Sequence, residues 1–159
     1  IAHILFQKEQ LSVTTVRLFN TVGPRQTGKY GMVIPRFVDA AKKNEPLIVH
    51  SDGSQTRVFC HVDDSVKAIK LLADSKESIG EVYNIGAVGE ISIKELAQKV
   101  ISVTNSKSII EYKPYADVYG KDFEDMQRRV PDIKKVTNQT GWSPSKGIEE
   151  IIRDVSASY

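Results

Sequence analysis

Strand-like and helix-like segments alternate along the whole chain of 159 residues. The strand-like segments are rich in β-branched and aromatic residues, and they read VTTVRLF, PLIVH, TRVFCHV, EVYNIG and SIIEY in chain order. The segments between them place apolar residues at helical spacing. This alternation predicts an α/β fold, and the chain is long enough to bury a core of its own.

The clearest helix begins at SIKEL, where Ser92 and Glu95 match the capping box S-x-x-E. In this motif each of the two side chains accepts a hydrogen bond from a backbone N–H at the helix start. The apolar stripe that should face the core consists of Ile93, Leu96, Ala97 and Val100.

Two more helices are predicted in the first third of the chain. The opening residues place Ile1, Ile4 and Leu5 on one helical face, and the pattern stops near Gln10. Pro35 suits the first turn of a helix that should end around Asn44. The apolar residues of this second helix are Ile34, Phe37, Val38 and Ala41.

Aspartates predict two further helix starts. Asp63 should cap one helix, and Asp132 should cap a short one that closes at Gly141. The predicted buried face of the first consists of Val66, Ile69, and Leu72 or Ala73. The segment SKGIEEIIRDVSASY completes the chain as an amphipathic helix.

The connections are predicted from their turn residues. SDGS should form a tight turn, so PLIVH and TRVFCHV are expected to pair as a hairpin or near-hairpin. Irregular loops are predicted for NTVGPRQTGKYG, residues 20–31, and for KPYADVYGKDFEDMQRR, residues 113–129. Long loops in compact domains are usually functional or disordered.

Charge and apolar content exclude several classes of partner. Twenty-two Lys and Arg residues against twenty Asp and Glu give a net charge of +2, without the strong positive field that nucleic acid or an anionic membrane selects. No stretch approaches the eighteen apolar residues of a membrane span. A single cysteine, Cys60, indicates a reducing compartment, and we expect a cytoplasmic protein with no nucleic-acid or membrane partner.

The sequence gives little support for a catalytic site or a metal site. Cys60 and His61 are neighbours on a predicted strand, so their side chains point to opposite faces and cannot form a dyad. The three histidines and one cysteine lack metal-ligand spacing, so no metal site is predicted. The glycine fingerprints of dinucleotide and triphosphate sites are absent from the sequence.

The remaining candidates for ligand-binding residues are arginines, which would bind an anion. Arg17 and Arg57 lie in apolar strands, where a guanidinium needs a carboxylate or phosphate partner to offset its desolvation. A solvated position or a pair with a protein acid would explain each of them equally well. Arg128 and Arg129 lie in a predicted loop, where a solvated role is the commoner one.

Four blocks occur in a specific order, VRLFNTVGPRQ, DGSQTRVFCHVDD, YNIG and RRVPDIKK with GWSP. Through them, and over nearly its whole length, the chain resembles the NAD-dependent nucleotide-sugar epimerase, dehydratase and decarboxylase family of extended short-chain dehydrogenase/reductases. Within the family it looks most like the branch that includes UDP-glucose 4-epimerase and UDP-glucuronate decarboxylase.

The resemblance implies an arrangement for the whole protein. In the family, an N-terminal Rossmann half binds NAD, and a Tyr-x-x-x-Lys pair transfers a proton while C4 of the sugar exchanges hydride with the cofactor. That pair would lie upstream of residue 1, so residues 1–31 would end the Rossmann half. Residues 32–159 would form the sugar-nucleotide lobe, with the strand at residues 81–86 returning to the Rossmann sheet.

By the same implication this chain holds no catalytic residue and is inactive alone, while the full-length protein acts on an NDP-sugar, most often a UDP-sugar, as a homodimer. The reaction stays open between epimerisation, dehydration and decarboxylation. A non-catalytic sugar-nucleotide-binding module and a plain interaction domain are the alternatives.

The family pattern also implies roles for single residues. Asn20 matches an asparagine that hydrogen-bonds the substrate phosphate, and Arg57 matches the arginine that grips the diphosphate. Arg128 or Arg129 corresponds to a late arginine that closes on the same phosphates, with Arg128 favoured. The helix start near Val33 would offer backbone N–H groups, which suit an anion.

The nucleobase and cofactor contacts are implied in the same way. The strand that reads the edge of the base matches Leu47, Ile48, Val49 and His50. The family commonly has Tyr and Gly at the positions of His50 and Ser51, so stacking on the base would fall to an imidazole. Leu18 and Phe19 would line the nicotinamide end of the NAD site.

Overall fold

The structure is a computed structural model that describes residues 1–28, 32–114 and 126–159. Its helices are α1 (Ala2–Glu9), α2 (Val33–Lys43), α3 (Val62–Asp74), α4 (Ile93–Thr104), α5 (Lys134–Thr140) and α6 (Ile148–Ser156). Its strands are β1 (Thr15–Leu18), β2 (Thr21–Val22), β3 (Leu47–His50), β4 (Thr56–Val58), β5 (Cys60–His61), β6 (Val82–Ile85), β7 (Glu90–Ser92), β8 (Ile110–Lys113) and β9 (Arg128–Arg129).

The chain divides into two compact units, each assembled from three separate segments. Unit 1 consists of Ile1–Thr21, Val58–Val88 and Val130–Lys146, and unit 2 consists of Val22–Arg57, Gly89–Arg129 and Gly147–Tyr159. The predicted division of the chain between residues 31 and 32 stays a prediction.

Unit 1 is built on a parallel strand pair. β1 and β6 run side by side in the register Thr15↔Val82 to Leu18↔Ile85. The core beside this pair is apolar, and its buried residues are Val58, Cys60, Ala68, Leu72, Tyr83, Ile85, Ala87, Ile133, Val136 and Trp142. Parallel pairing joined by helices is the arrangement that the alternating sequence predicts.

Unit 2 contains a three-helix cluster and two small sheets. Helices α2, α4 and α6 pack against one another. β3 pairs with β8 in parallel, and β7, β4 and β9 form a three-stranded sheet with β4 in the centre. These two sheets carry most of the residues for which a ligand contact is predicted.

Caps and apolar stripes predicted several helices correctly. Ser92 and Glu95 form both hydrogen bonds of the capping box, and all four predicted stripe residues of α4 are buried. α2 ends at Asn44 in a left-handed conformation, and its four predicted apolar residues are buried. α1 likewise ends at Gln10.

The predicted hairpin is wrong. β3 takes β8 as its partner and β4 takes β9, so the two strands that flank SDGS lie in different sheets, and TRVFCHV is split into β4 and β5. The tight turn itself is present, since Asp52 Oδ1 accepts hydrogen bonds from both the N–H and the hydroxyl of Ser54. A local turn signal therefore identified the turn but not the distant strands that compete for pairing.

Two predictions about α3 are also wrong. The helix is capped by His61, whose Nδ1 accepts from the N–H of Asp63 at 3.1 Å. Val66 and Ile69 are exposed, whereas the buried positions are Asp64, Ser65, Ala68 and Leu72. Small side chains allow close packing on this face, and hydrogen bonds compensate for the burial of its carboxylate.

Two predictions near the end of the chain need smaller corrections. Arg128 and Arg129 form the short strand β9 and not a loop, while residues 115–125 of the predicted irregular segment lie outside the described residues. Asp132 Oδ1 accepts from the N–H of Lys134, but the N-cap of α5 is Ile133. Gly141 closes α5 as predicted. Within the described ranges, no helix has the length and apolar character of a membrane span.

Candidate functional site

Arg57 lies on the central strand of the β7–β4–β9 sheet and is 7% exposed. Its Nη1 donates to the carbonyl oxygens of Thr56 at 2.8 Å and Gln127 at 3.5 Å. Neutral carbonyls only partly offset the desolvation of a guanidinium, because they carry no net charge. Arg57 is therefore a buried cation that donates hydrogen bonds to at least two backbone carbonyls.

The register between β4 and β9 decides which side chains share a face with Arg57. Arg57 pairs with Arg129, and Thr56 pairs with Arg128. Side chains of directly paired residues project from the same face of a sheet, and successive residues alternate between faces. Arg57 and Arg129 thus lie side by side on one face, and Arg128 lies on the other.

The opposite face carries a carboxylate that the sequence analysis did not identify. Glu90 on β7 accepts hydrogen bonds from the Nε of Arg128, at 3.0 Å and 3.1 Å to its two oxygens, and from the hydroxyl of Thr56. The bond from Thr56 and then that from Arg128 lower the pKa of the Glu90 carboxyl. No local pattern marks Glu90, because its partners come from strands far away in the chain.

The strand predicted to read the nucleobase has two different faces. Leu47 and Val49 are fully buried, and their backbones pair with β8, so their predicted contact with the nucleobase stays a prediction. Ile48 faces the other way and lines a cavity of 650 Å³ together with Arg36 and Tyr159. This volume is within the range typical of small-molecule sites.

His50, at the end of the same strand, lies half-buried. Burial, followed by the charges of Arg36 and Lys113, lowers the pKa of its imidazole. The ring is therefore neutral near pH 7, because its ordinary pKa already lies below that value. A neutral aromatic ring is compatible with stacking on a base.

Val33 begins α2 and is half-buried. The preceding residue, Met32, is the N-cap and makes no side-chain capping hydrogen bond. The start of α2 therefore has no capping side chain from its own N-cap residue, and the predicted anion contact near Val33 stays a prediction.

The remaining predicted site residues belong to unit 1. Asn20 has a φ of 42°, its Nδ2 donates to the carbonyl of Val58 at 2.7 Å, and its own carbonyl accepts from the N–H of Cys60. Leu18, at the carboxyl end of β1, is 51% exposed, and Phe19 follows it in a half-buried position. Arg17 is exposed on β1. Asn20 therefore stabilises local backbone structure, and its predicted phosphate contact stays a prediction.

A second polar cluster in unit 1 is structural in character. Asp64 is 4% exposed and accepts hydrogen bonds from the N–H and hydroxyl of Ser145 and from the N–H of Lys146. Burial raises the pKa of the Cys60 thiol, which suits a core residue and not a nucleophile. No cluster of three or more metal-ligating side chains occurs among the residues that the structure describes.

Comparison with known proteins identifies the family. A family model described as GDP-mannose 4,6 dehydratase matches residues 1–155. The chain belongs to this family. It is 41% identical, over 145 residues, to UDP-N-acetyl-alpha-D-glucosaminuronate decarboxylase of Bacillus cytotoxicus, a match that covers 91% of this chain and 45% of the relative.

Solved structures agree with the family assignment. An epimerase from Methanothermobacter thermautotrophicus matches with a TM-score of 0.89 and 26% identity, over 98% of this chain and 45% of the other. A dTDP-glucose 4,6-dehydratase from Bacillus anthracis, solved in complex with NAD, matches with a TM-score of 0.84 and 28% identity. This match covers 99% of this chain and 48% of the dehydratase.

The predicted family and α/β class are thus confirmed. The chain spans less than half the length of the relatives that it matches.

Proposed function

We propose that the protein is an NAD-dependent decarboxylase of a UDP-linked uronate sugar, and that this chain supplies its C-terminal, substrate-binding part. The 41%-identical relative is a decarboxylase of this kind, and the chain covers 45% of it. The chain alone is then inactive, and catalysis depends on residues upstream of Ile1.

The observation that carries the proposal is the register that pairs Arg57 with Arg129. Two guanidiniums on one face of a sheet can each donate charge-assisted hydrogen bonds to a diphosphate, at about 1.5–3 kcal/mol per bond. The role of the second arginine is therefore given to Arg129 and not to Arg128, whose Nε is bonded to Glu90. Binding the phosphates firmly lets a non-reacting part of the substrate position the reacting sugar.

The nucleobase is assigned to the region around Ile48 and His50. Ile48 lines the cavity of unit 2, and the neutral ring of His50 follows two residues later. An apolar wall with a few polar groups is the usual composition of a ligand pocket. The uracil ring of a UDP-sugar is of suitable size and polarity for such a place.

Leu18 and Phe19 are assigned to the wall of the NAD site. In open α/β sheets a ligand binds at the carboxyl ends of the parallel strands, and Leu18 is the last residue of β1. Its side chain is 51% exposed although it is apolar, which fits a residue that contacts a nicotinamide ring. When bound, the cofactor would supply the hydride exchange at C4 of the sugar.

The proposal predicts a specific reaction of the full-length gene product. Incubation with NAD and either UDP-glucuronate or UDP-N-acetylglucosaminuronate should release carbon dioxide and yield a UDP-pentose or a UDP-acetamidopentose, respectively, whereas UDP-glucose should release none. Nuclear magnetic resonance of the nucleotide-sugar products provides the measurement. Binding of UDP without any turnover would instead identify a non-catalytic module, and the absence of both would refute the proposal.

A further inference from the structure

A chain of side-chain contacts crosses the β7–β4–β9 sheet on the face opposite to Arg57. Glu90 on one edge strand contacts the hydroxyl of Thr56 on the central strand and the guanidinium of Arg128 on the other edge strand. Arg128 places its Nε between both carboxylate oxygens, at 3.0 Å and 3.1 Å. One carboxylate thus connects all three strands.

β9 needs such a connection because it is short. It contains only Arg128 and Arg129, and a strand of two residues forms too few ladder hydrogen bonds to be stable alone. At its edge, the N–H of Thr56 donates to the carbonyl oxygen of Gln127 at 2.8 Å. Side-chain contacts must therefore contribute to holding β9 against β4.

Charge adds a second reason. Arg57 and Arg129 are paired directly across the two strands, and like charges at such positions destabilise the pairing. The attraction between Glu90 and Arg128 on the opposite face opposes this repulsion.

We propose that Glu90 is a positioning residue for the diphosphate site. Through Arg128 and Thr56 it holds β9 in register with β4, so that Arg57 and Arg129 already lie together when the nucleotide binds. Because β9 is then ordered before the nucleotide binds, the free energy of binding is not reduced by the entropy cost of ordering it. This inference rests on the proposed function, since it assumes that the two arginines bind phosphate.

The test is the affinity of the full-length protein for UDP and for uridine, measured by titration calorimetry or by ligand-observed magnetic resonance. Glu90→Gln keeps the size of the side chain and removes its charge. An exposed ion pair shifts an equilibrium constant by at most about fivefold, so UDP should bind roughly three- to fivefold more weakly. Uridine has no phosphate, and its affinity should be unchanged.

A double-mutant cycle isolates the contact with Arg128. In an Arg128→Ala background, Glu90→Gln should cause no further loss of UDP affinity, because the partner has already gone. Glu149→Gln is the matched control, since it removes another exposed glutamate of unit 2 that is paired with Lys99 and Arg153. This control should bind UDP like the wild type.

Three outcomes would overturn the inference. Glu90→Gln could bind UDP like the wild type while Arg57→Ala loses binding, which would leave the proposed function intact and remove the role of Glu90. UDP and uridine affinities could fall equally, which would identify a general structural defect. Finally, the wild type could fail to bind UDP, and both proposals would then be wrong.

Discussion

Replacing Arg57 with alanine is expected to weaken UDP binding by the full-length protein at least about a hundredfold. A charge-assisted hydrogen bond contributes about 1.5–3 kcal/mol, and a bidentate contact makes two, so the loss exceeds the roughly 2.7 kcal/mol that a hundredfold change requires. Arg57 is 7% exposed, so water replaces the lost contact poorly. Titration calorimetry with UDP measures the effect directly.

Two variants make this result specific. Arg57→Lys keeps the charge but cannot donate a bidentate pair, and it should bind UDP with intermediate affinity. Arg153→Ala removes an exposed arginine that is paired with Glu149 in the same unit, and it should leave UDP affinity unchanged. Wild-type affinity in Arg57→Ala would exclude the assigned role of Arg57.

Replacing Asp64 with alanine should destabilise the protein by about 2–4 kcal/mol. The change removes three hydrogen bonds and leaves the N–H groups of Ser145 and Lys146 without their acceptor. An unsatisfied buried polar group costs about 1–3 kcal/mol, and one bond of this set joins a charged carboxylate to a hydroxyl. Chemical denaturation, followed by circular dichroism, gives the free energy of unfolding.

Asp63→Ala is the matched control for this variant. The side chain of Asp63 is 73% exposed and lies one position away on the same helix, so its loss should change stability by less than about 1 kcal/mol. Equal stability of the Asp64→Ala variant and the wild type would show that these bonds contribute little.

The contribution of Asp64 to the free energy of unfolding should also depend on pH. Burial by itself raises the pKa of Asp64, but the hydrogen bonds from Lys146 and Ser145 outweigh burial, and the net pKa is lowered. A group with a lowered folded-state pKa contributes stability above its unfolded value, near 3.9, and loses it as the pH falls through the folded value. The stability difference between wild type and Asp64→Ala should therefore shrink below about pH 4.

Local signals predicted local structure well. The capping box at Ser92 and Glu95 and the left-handed residue Asn44 at the end of α2 both depend on neighbouring residues, and both are present. The parallel partners of β3 and β4, which are β8 and β9, lie more than sixty positions away, and the predicted hairpin failed for that reason. Sequence spacing cannot rank distant competitors for the same ladder.

The candidate site likewise contains residues that local sequence could predict and residues that depend on distant strands. Arg57 was predicted from its apolar strand and from the family pattern, whereas the proposal of Arg129 in place of Arg128 needed the register of β9. Glu90 gave no signal, because its contacts with Thr56 and Arg128 exist only once three separate strands are side by side. The exposed Val66 and Ile69 of α3 were misjudged because spacing favours large apolar residues over the small residues and the hydrogen-bonded carboxylate that are actually buried.

We expect Arg57 and Arg129 to bind one diphosphate together, and a crystal structure of the full-length protein with UDP would show whether they do. Guanidinium nitrogens of both residues should lie within about 3 Å of the phosphate oxygens, with Arg128 still bonded to Glu90. Phosphates bound elsewhere, out of reach of Arg57 and Arg129, would show that this assignment is wrong.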